Sequence, residues 1–135
     1  MKPVGKTIQF YLPDGEPRGI RIAEITTRIV QAVAIPRALL GRARERPELD
    51  SVGVYLLLGD AVEGEKPFVY VGQSENPGKR LFQHMSDDKK AFWETAIVFV
   101  SRTNNFTQTH VRYLEYHCQI AAKEAGRYVL QNAVE

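Results

Sequence analysis

The first third of the chain carries a period of two in its apolar positions. Thr7-Ile8-Gln9-Phe10-Tyr11-Leu12 reads as a strand, and Pro13-Asp14-Gly15-Glu16-Pro17 as a strong turn. Gly19-Ile20-Arg21-Ile22-Ala23-Glu24-Ile25 alternates apolar and polar residues, which predicts the second arm of a hairpin. Thr26 to Ala34 is apolar and β-branched and predicts a further strand. Pro36 suits the first turn of a helix. From Pro36 to Glu48, Leu39, Leu40 and Ala43 can share one face, with Arg37, Arg42, Arg44 and Arg46 around it and a break at Pro47. Residues 1–50 are therefore expected to form a β-hairpin arm and one short basic helix.

The pattern changes after residue 50. Val52-Gly53-Val54-Tyr55-Leu56-Leu57-Leu58 has the continuous apolar character of a buried strand, and the loop from Gly59 to Pro67 is rich in glycine and acids. Phe68-Val69-Tyr70-Val71-Gly72 predicts a second strand, and Asn76-Pro77 opens a helix running to about Ser86. Ala96-Ile97-Val98-Phe99-Val100 predicts a third strand. Asn105 or Thr107 can cap a long helix from about Gln108 to Ala125, stopped by Gly126. Tyr128 to Leu130 is a short apolar tail. The expected class is α/β in the α+β sense. A small central mixed or antiparallel sheet of about three strands would be flanked by helices, with the N-terminal hairpin extending or flanking it. The expected organisation is an arm over 1–50 and a compact unit over 51–135.

Composition narrows the class without changing it. The 135 residues are 44% hydrophobic and 25% charged, an ordinary globular balance. A net charge of +2 permits nucleic-acid binding without requiring it. One cysteine, Cys118, allows no internal disulfide and fits a reducing compartment. The start Met1-Lys2-Pro3-Val4-Gly5-Lys6 lacks the apolar core of a signal peptide, and no apolar run approaches the roughly 18–20 residues of a membrane span. The expectation is a cytoplasmic protein with no membrane partner.

The candidate chemistry lies in order along the second part. Gly53-Val54-Tyr55 and Tyr70-Val71-Gly72 fall on adjacent predicted strands. Arg80 follows ten residues after Tyr70 and His84 four after Arg80, so the two share a helix face. Glu115 sits within the long helix and Asn132 near the end. A carboxylate can hold a hard cation, and a guanidinium can grip two phosphate oxygens at any relevant pH. Tyrosine or histidine can position or deprotonate a water, though a free phenol near pKa 10 is a poor base at neutral pH.

This set resembles the GIY-YIG nuclease family over roughly residues 51–132. The Gly-x-Tyr strand, the Tyr-x-Gly strand, the Arg-x-x-x-His helix, the helical Glu and the late Asn occur in the family's order. Val54 and Val71 replace the central Ile of each signature. The resemblance implies a DNA endonuclease using one Mg²⁺ (or Mn²⁺) held by Glu115. Tyr55, Tyr70, Arg80, His84 and Asn132 would be catalytic, with Gly53 and Gly72 as motif glycines. It favours Tyr55 for activating water, with Tyr70 and His84 positioning water or phosphate and Asn132 bracing the site. Lys79, Arg37, Arg42, Arg44 and Arg46 are candidate DNA contacts. An attached DNA-binding domain or partner would supply specificity.

Each residue also has a plain reading. The tyrosines can be half-buried strand residues, Arg80 and His84 a solvated helix face, Glu115 an exposed charge, and the arginines a solvated surface. His110 and His117 are expected to be structural, Cys118 a small buried hydrophobe and Trp93 core. The competing function is a non-catalytic nucleic-acid-binding or interaction module that keeps the scaffold. A structural arm of a larger enzyme is the third reading.

Overall fold

The computed structural model describes residues 3–26, 29–103 and 105–133. Seven strands make one mixed sheet: β1 (Ile8–Tyr11), β2 (Arg21–Ile25), β3 (Val30–Pro36), β4 (Gly53–Gly59), β5 (Phe68–Ser74), β6 (Trp93–Ser101) and β7 (Val129–Leu130). Their order across the sheet is β1-β2-β3-β6-β4-β5-β7. All neighbours are antiparallel except β5 and β7. The α+β class holds, but the expected sheet of about three strands is too small. The N-terminal hairpin extends the sheet, one of the two expected placements: β3 pairs along its whole length with β6, from Val30↔Ser101 to Pro36↔Thr95, and joins the hairpin to the central strands. Local periodicity identifies strands but not this pairing between segments 59 to 71 positions apart.

Two helix expectations also change. Pro36 ends β3 in an extended conformation (φ −61°, ψ 138°) and caps a 3₁₀ turn instead of lying in the first turn of a helix. The basic segment is broken into a 3₁₀ turn Arg37–Leu39, a single α turn α1 (Leu40–Ala43) and a second 3₁₀ turn Pro47–Asp50. Gly41 is a weak helix former and Pro47 cannot continue one, so burial of Leu40, Ala43 and Leu49 sets the path instead. α2 (Pro77–Met85) starts where Asn76 accepts a hydrogen bond from the Lys79 amide at 3.1 Å. α3 (Gln108–Ala125) is capped by Thr107, and Gly126 ends it at φ 66°. Asn105 does not cap it; its Oδ1 accepts from the Ser101 hydroxyl. No helix among the described residues is long and apolar enough to cross a membrane.

Alternation along β4 and β5 sends side chains to two separate cores. Tyr55, Leu57, Trp93, Val98 and Ile22 pack with Leu40, Leu49 and Leu81 on one face. Val54, Val69 and Val71 pack with Val111 and Leu130 on the other, beneath α3. Paired positions share a face, so Tyr11, Ile22, Val33, Val98, Tyr55 and Gly72 form one row across six strands.

Arg37 ties the first face together. Its guanidinium donates to the carbonyls of Lys90 (3.4 Å), Trp93 (3.1 Å) and Met85 (3.2 Å) and lies 4.7 Å from the Trp93 ring centre. Arg37→Ala should lower stability by about 2–3 kcal/mol in urea unfolding, because part-buried carbonyls lose charged donors. Arg37→Lys should recover less than half, since one ammonium cannot span three carbonyls in a plane. An unchanged midpoint for Arg37→Ala would make the contact incidental.

Candidate active site

Tyr55 pairs directly with Gly72 across β4 and β5. A Cβ at Gly72 would stand 2.5 Å from both Cζ and Oη of Tyr55, so only glycine lets the phenol lie across β5. Gly53 serves backbone packing instead: a Cβ there would meet the Phe99 carbonyl at 2.6 Å. Tyr55 is 1% exposed, and its hydroxyl shares a 2.8 Å hydrogen bond with Nε2 of buried His84, donating whenever Nε2 carries no proton. The Tyr70 ring lies 6.3 Å from Tyr55 and 5.4 Å from His84, centre to centre. Tyr70 is only half-buried.

Burial pushes the Tyr55 phenol well above its ordinary value, and neighbouring Tyr70 pushes it the same way. The neighbouring Arg80 guanidinium opposes both, while the negative charge of Glu115 adds to the rise. Arg80 itself is exposed, its Nη1 donating to Gln83 Oε1 at 2.8 Å. Lys79 is exposed one position earlier on α2.

Glu115 comes from α3, the helix that covers the opposite face from Tyr55. The end of β5 lies between the two faces. β7 pairs only with Phe68 and Val69, so it stops short of Gly72 and Gln73. There Glu115, Gln73, Arg112, Tyr116 and Gln119 line a depression of about 290 Å³. Burial raises the Glu115 carboxyl above its ordinary value, opposed by the neighbouring Gln73 amide and by the charge of Arg112. The Gln73 Oε1 atom is buried without a hydrogen-bond partner. Asn132 holds this strand: its Oδ1 accepts from the Val71 amide at 2.9 Å and its Nδ2 donates to the Val71 carbonyl at 2.8 Å. The side-chain amide thus takes the next place in the ladder after β7.

The arginines of the basic segment lie on the same sheet face as α2, but two serve the fold. Arg37 clamps three carbonyls, and Arg46 bonds Glu48 at 2.6 Å beside the Tyr11 ring. Arg42 is exposed and pairs with Asp14 at 3.4 Å, and exposed Arg44 stacks 4.0 Å above the centre of the Phe82 ring on α2. His110 completes a capping box with Thr107, and His117 packs on Tyr113 with ring centres 4.2 Å apart. Cys118 is partly buried against the α3-side core. A larger cavity of about 630 Å³ between β1, β2 and the Arg46–Glu48 pair holds none of the clustered groups. The cluster of hydrogen-bonded and stacked polar side chains lies instead at Tyr55, Tyr70 and His84.

Lys90 was not foreseen. It ends a 3₁₀ turn, Asp88–Lys90, is 3% exposed, and holds Nζ 4.2 Å from the Tyr70 ring centre. The run Asp87-Asp88-Lys89-Lys90 looks like a solvated loop, and only the buried Trp93 shortly after it hints that the segment turns inward.

Comparison of the chain with protein-family models, with curated proteins and with solved structures finds no match.

The raised Glu115 carboxyl has a signed consequence. The folded state binds this proton more tightly than the unfolded state, so stability falls as pH rises from the ordinary carboxylate range through the raised folded value. Glu115→Gln should therefore melt higher than the native chain at neutral pH, and the difference should vanish below about pH 4. A variant that melts lower than the native chain at pH 7 would show that the carboxylate is held for stability.

Proposed function

We propose that the chain is a GIY-YIG-type endonuclease that hydrolyses DNA phosphodiester bonds with the help of one Mg²⁺ or Mn²⁺ ion. The observation that carries the reading is convergence. Tyr55, Tyr70 and His84 touch one another although three elements contribute them, and Arg80 rises from the same helix as His84. A solvated helix face or scattered strand tyrosines would not produce this arrangement.

The donor set fits a magnesium ion that arrives with its substrate. Among the described residues no group of three or more His, Cys, Asp or Glu could hold a metal. Mg²⁺ is commonly bound by one or two carboxylates together with waters and substrate phosphates, and does not need a complete protein cage. Glu115 supplies the carboxylate, made costly to ionise by burial, beside the unpartnered oxygen of Gln73. Bound there, the ion would supply charge neutralisation at phosphate and a more acidic water.

The protein's own groups account for the remaining chemistry. Exposed Arg80 can hold non-bridging phosphate oxygens with paired, fixed donors. The resemblance assigns water activation to Tyr55. Burial keeps the proton on that phenol, so Tyr55 alone is a weak acceptor. Its bond to His84 Nε2 supplies a second site for the proton, so the tyrosines and the imidazole handle water as one unit. Asn132 fixes β5 between Tyr70 and Gly72. Lys79, Arg42 and Arg44 are exposed on the side of α2 and are the better placed DNA-backbone contacts. Target specificity would come from an added DNA-binding domain or partner.

An Mg²⁺-dependent plasmid-nicking assay distinguishes this enzyme from a binding module on the same scaffold. Glu115→Ala should abolish nicking while DNA affinity stays level or rises slightly, because a negative charge near phosphate is removed. Arg80→Ala should lose about two to three decades in rate, or about 3–4 kcal/mol, and weaken binding as well. Tyr55→Phe should fold and fail to cleave. Native chain that binds DNA without nicking it would favour the binding module.

A further inference from the structure

Burial of a lysine is rare, and it requires a compensating partner. Lys90 is held in place on several sides. Asp87 accepts a hydrogen bond from the Lys89 amide at 3.0 Å, Gln131 donates to the Lys89 carbonyl at 2.7 Å, and Arg37 donates to the Lys90 carbonyl at 3.4 Å. The ammonium is thereby placed 4.2 Å from the centre of the Tyr70 ring. A cation over an aromatic face is attractive when the ring is neutral and more so once the ring oxygen carries negative charge.

Tyr55 and Tyr70 differ in a way that matters here. Tyr55 is enclosed and bonded to His84, whereas Tyr70 is half-buried and within reach of solvent. The titratable and charged groups around this pair come from every element packed against it. They include His84 and Arg80 from α2 and Lys90 from its 3₁₀ turn, and the charge of Glu115 from α3 bears on Tyr55. Lys90 is the buried cation of this set.

We propose that Lys90 is a positioning residue whose fixed ammonium stabilises the Tyr70 phenolate, making Tyr70 the phenol that takes the proton of the attacking water. The catalytic use of that proton transfer rests on the nuclease reading, whereas the action of Lys90 on Tyr70 does not. In the transfer, the Tyr70 phenolate oxygen gains the proton, the water oxygen forms a bond to phosphorus with its freed electron pair, and the P–O bond to the leaving oxygen breaks with its pair on that oxygen, which takes a proton from solvent. No oxidant or reductant is involved. Tyr55 and His84 then serve to orient Tyr70 and the water.

The test is a pH titration of the chain labelled with ¹³C at tyrosine Cζ, with the Tyr70 signal assigned by its loss in Tyr70→Phe. In Lys90→Met, Tyr70 should titrate at least about one pH unit higher than in the native chain. Lys90→Arg should restore most of the difference. Replacing a buried ion by an apolar side chain of similar length is often neutral for stability, so Lys90→Met should fold. Lys90→Gln provides a second neutral variant if it does not. The alkaline shift should also appear in the pH–rate profile of nicking, with KM for DNA unchanged. A Tyr70 titration that superimposes on the native curve in the neutral variants overturns the proposal. A native chain that shows the tyrosine shift on substitution but cleaves no DNA would sink the nuclease reading and leave the Lys90–Tyr70 coupling standing.

Discussion

The Tyr55 phenol lies over β5 in space left by the missing side chain of Gly72, and most of the site depends on that contact. It requires Tyr55 and Gly72 to face one another in register, which the β4–β5 ladder provides. Any side chain at position 72 would collide with the ring oxygen and displace it from His84 Nε2. A one-residue slip would turn Tyr55 to the α3 face and bring Val54 to the other. The register is held from both sides, by β6 through Tyr55↔Val98 and by Asn132 on the Val71 peptide.

The same contact leaves an opening by which groups from two faces of the sheet could serve one site, as the proposed nuclease reading requires. α2 brings Arg80 and His84 to the Tyr55 face, while α3 brings Glu115 to the other. A sheet filled with side chains would screen them from each other. Here β7 ends before Gly72, and Gly72 has no side chain, so that end of β5 is left open between the two faces. The proposed nuclease site is therefore an open edge, which suits a substrate as large as a duplex better than an enclosed pocket does.

Much of the second half of the fold was legible because its signals are local. Thr107, Gly126, Asn76 and Pro77 bound the two helices by the chemistry of caps, and the apolar runs of β4, β5 and β6 are continuous. The spacing of Arg80 and His84 placed them on one helix, and the order of motifs pointed to the tyrosines. Three things were not legible. The β3–β6 pairing depends on two segments far apart in sequence, so the seven-stranded sheet was underestimated. The basic segment has helical apolar spacing, but Gly41 and Pro47 and the burial of Leu40 and Leu49 break it into turns. Lys90 lies in a charged run whose inward turn is set by Arg37, a residue 53 positions earlier that had been assigned to DNA. A buried cation has no sequence signature distinct from an exposed one.

The central claim is that Glu115, reached around the end of β5, and the tyrosines over Gly72 serve one metal–phosphate centre. Paramagnetic broadening tests it most directly, using Mn²⁺ added to the ¹³C-tyrosine-labelled chain in the presence of a non-hydrolysable DNA duplex. The account predicts that Tyr55, Tyr70 and Tyr116 broaden together at low Mn²⁺, that Tyr11 on the far strand stays sharp, and that Glu115→Gln abolishes the effect. Broadening of Tyr116 alone, with Tyr55 and Tyr70 unaffected, would contradict it by placing the ion on the α3 face away from the phenols.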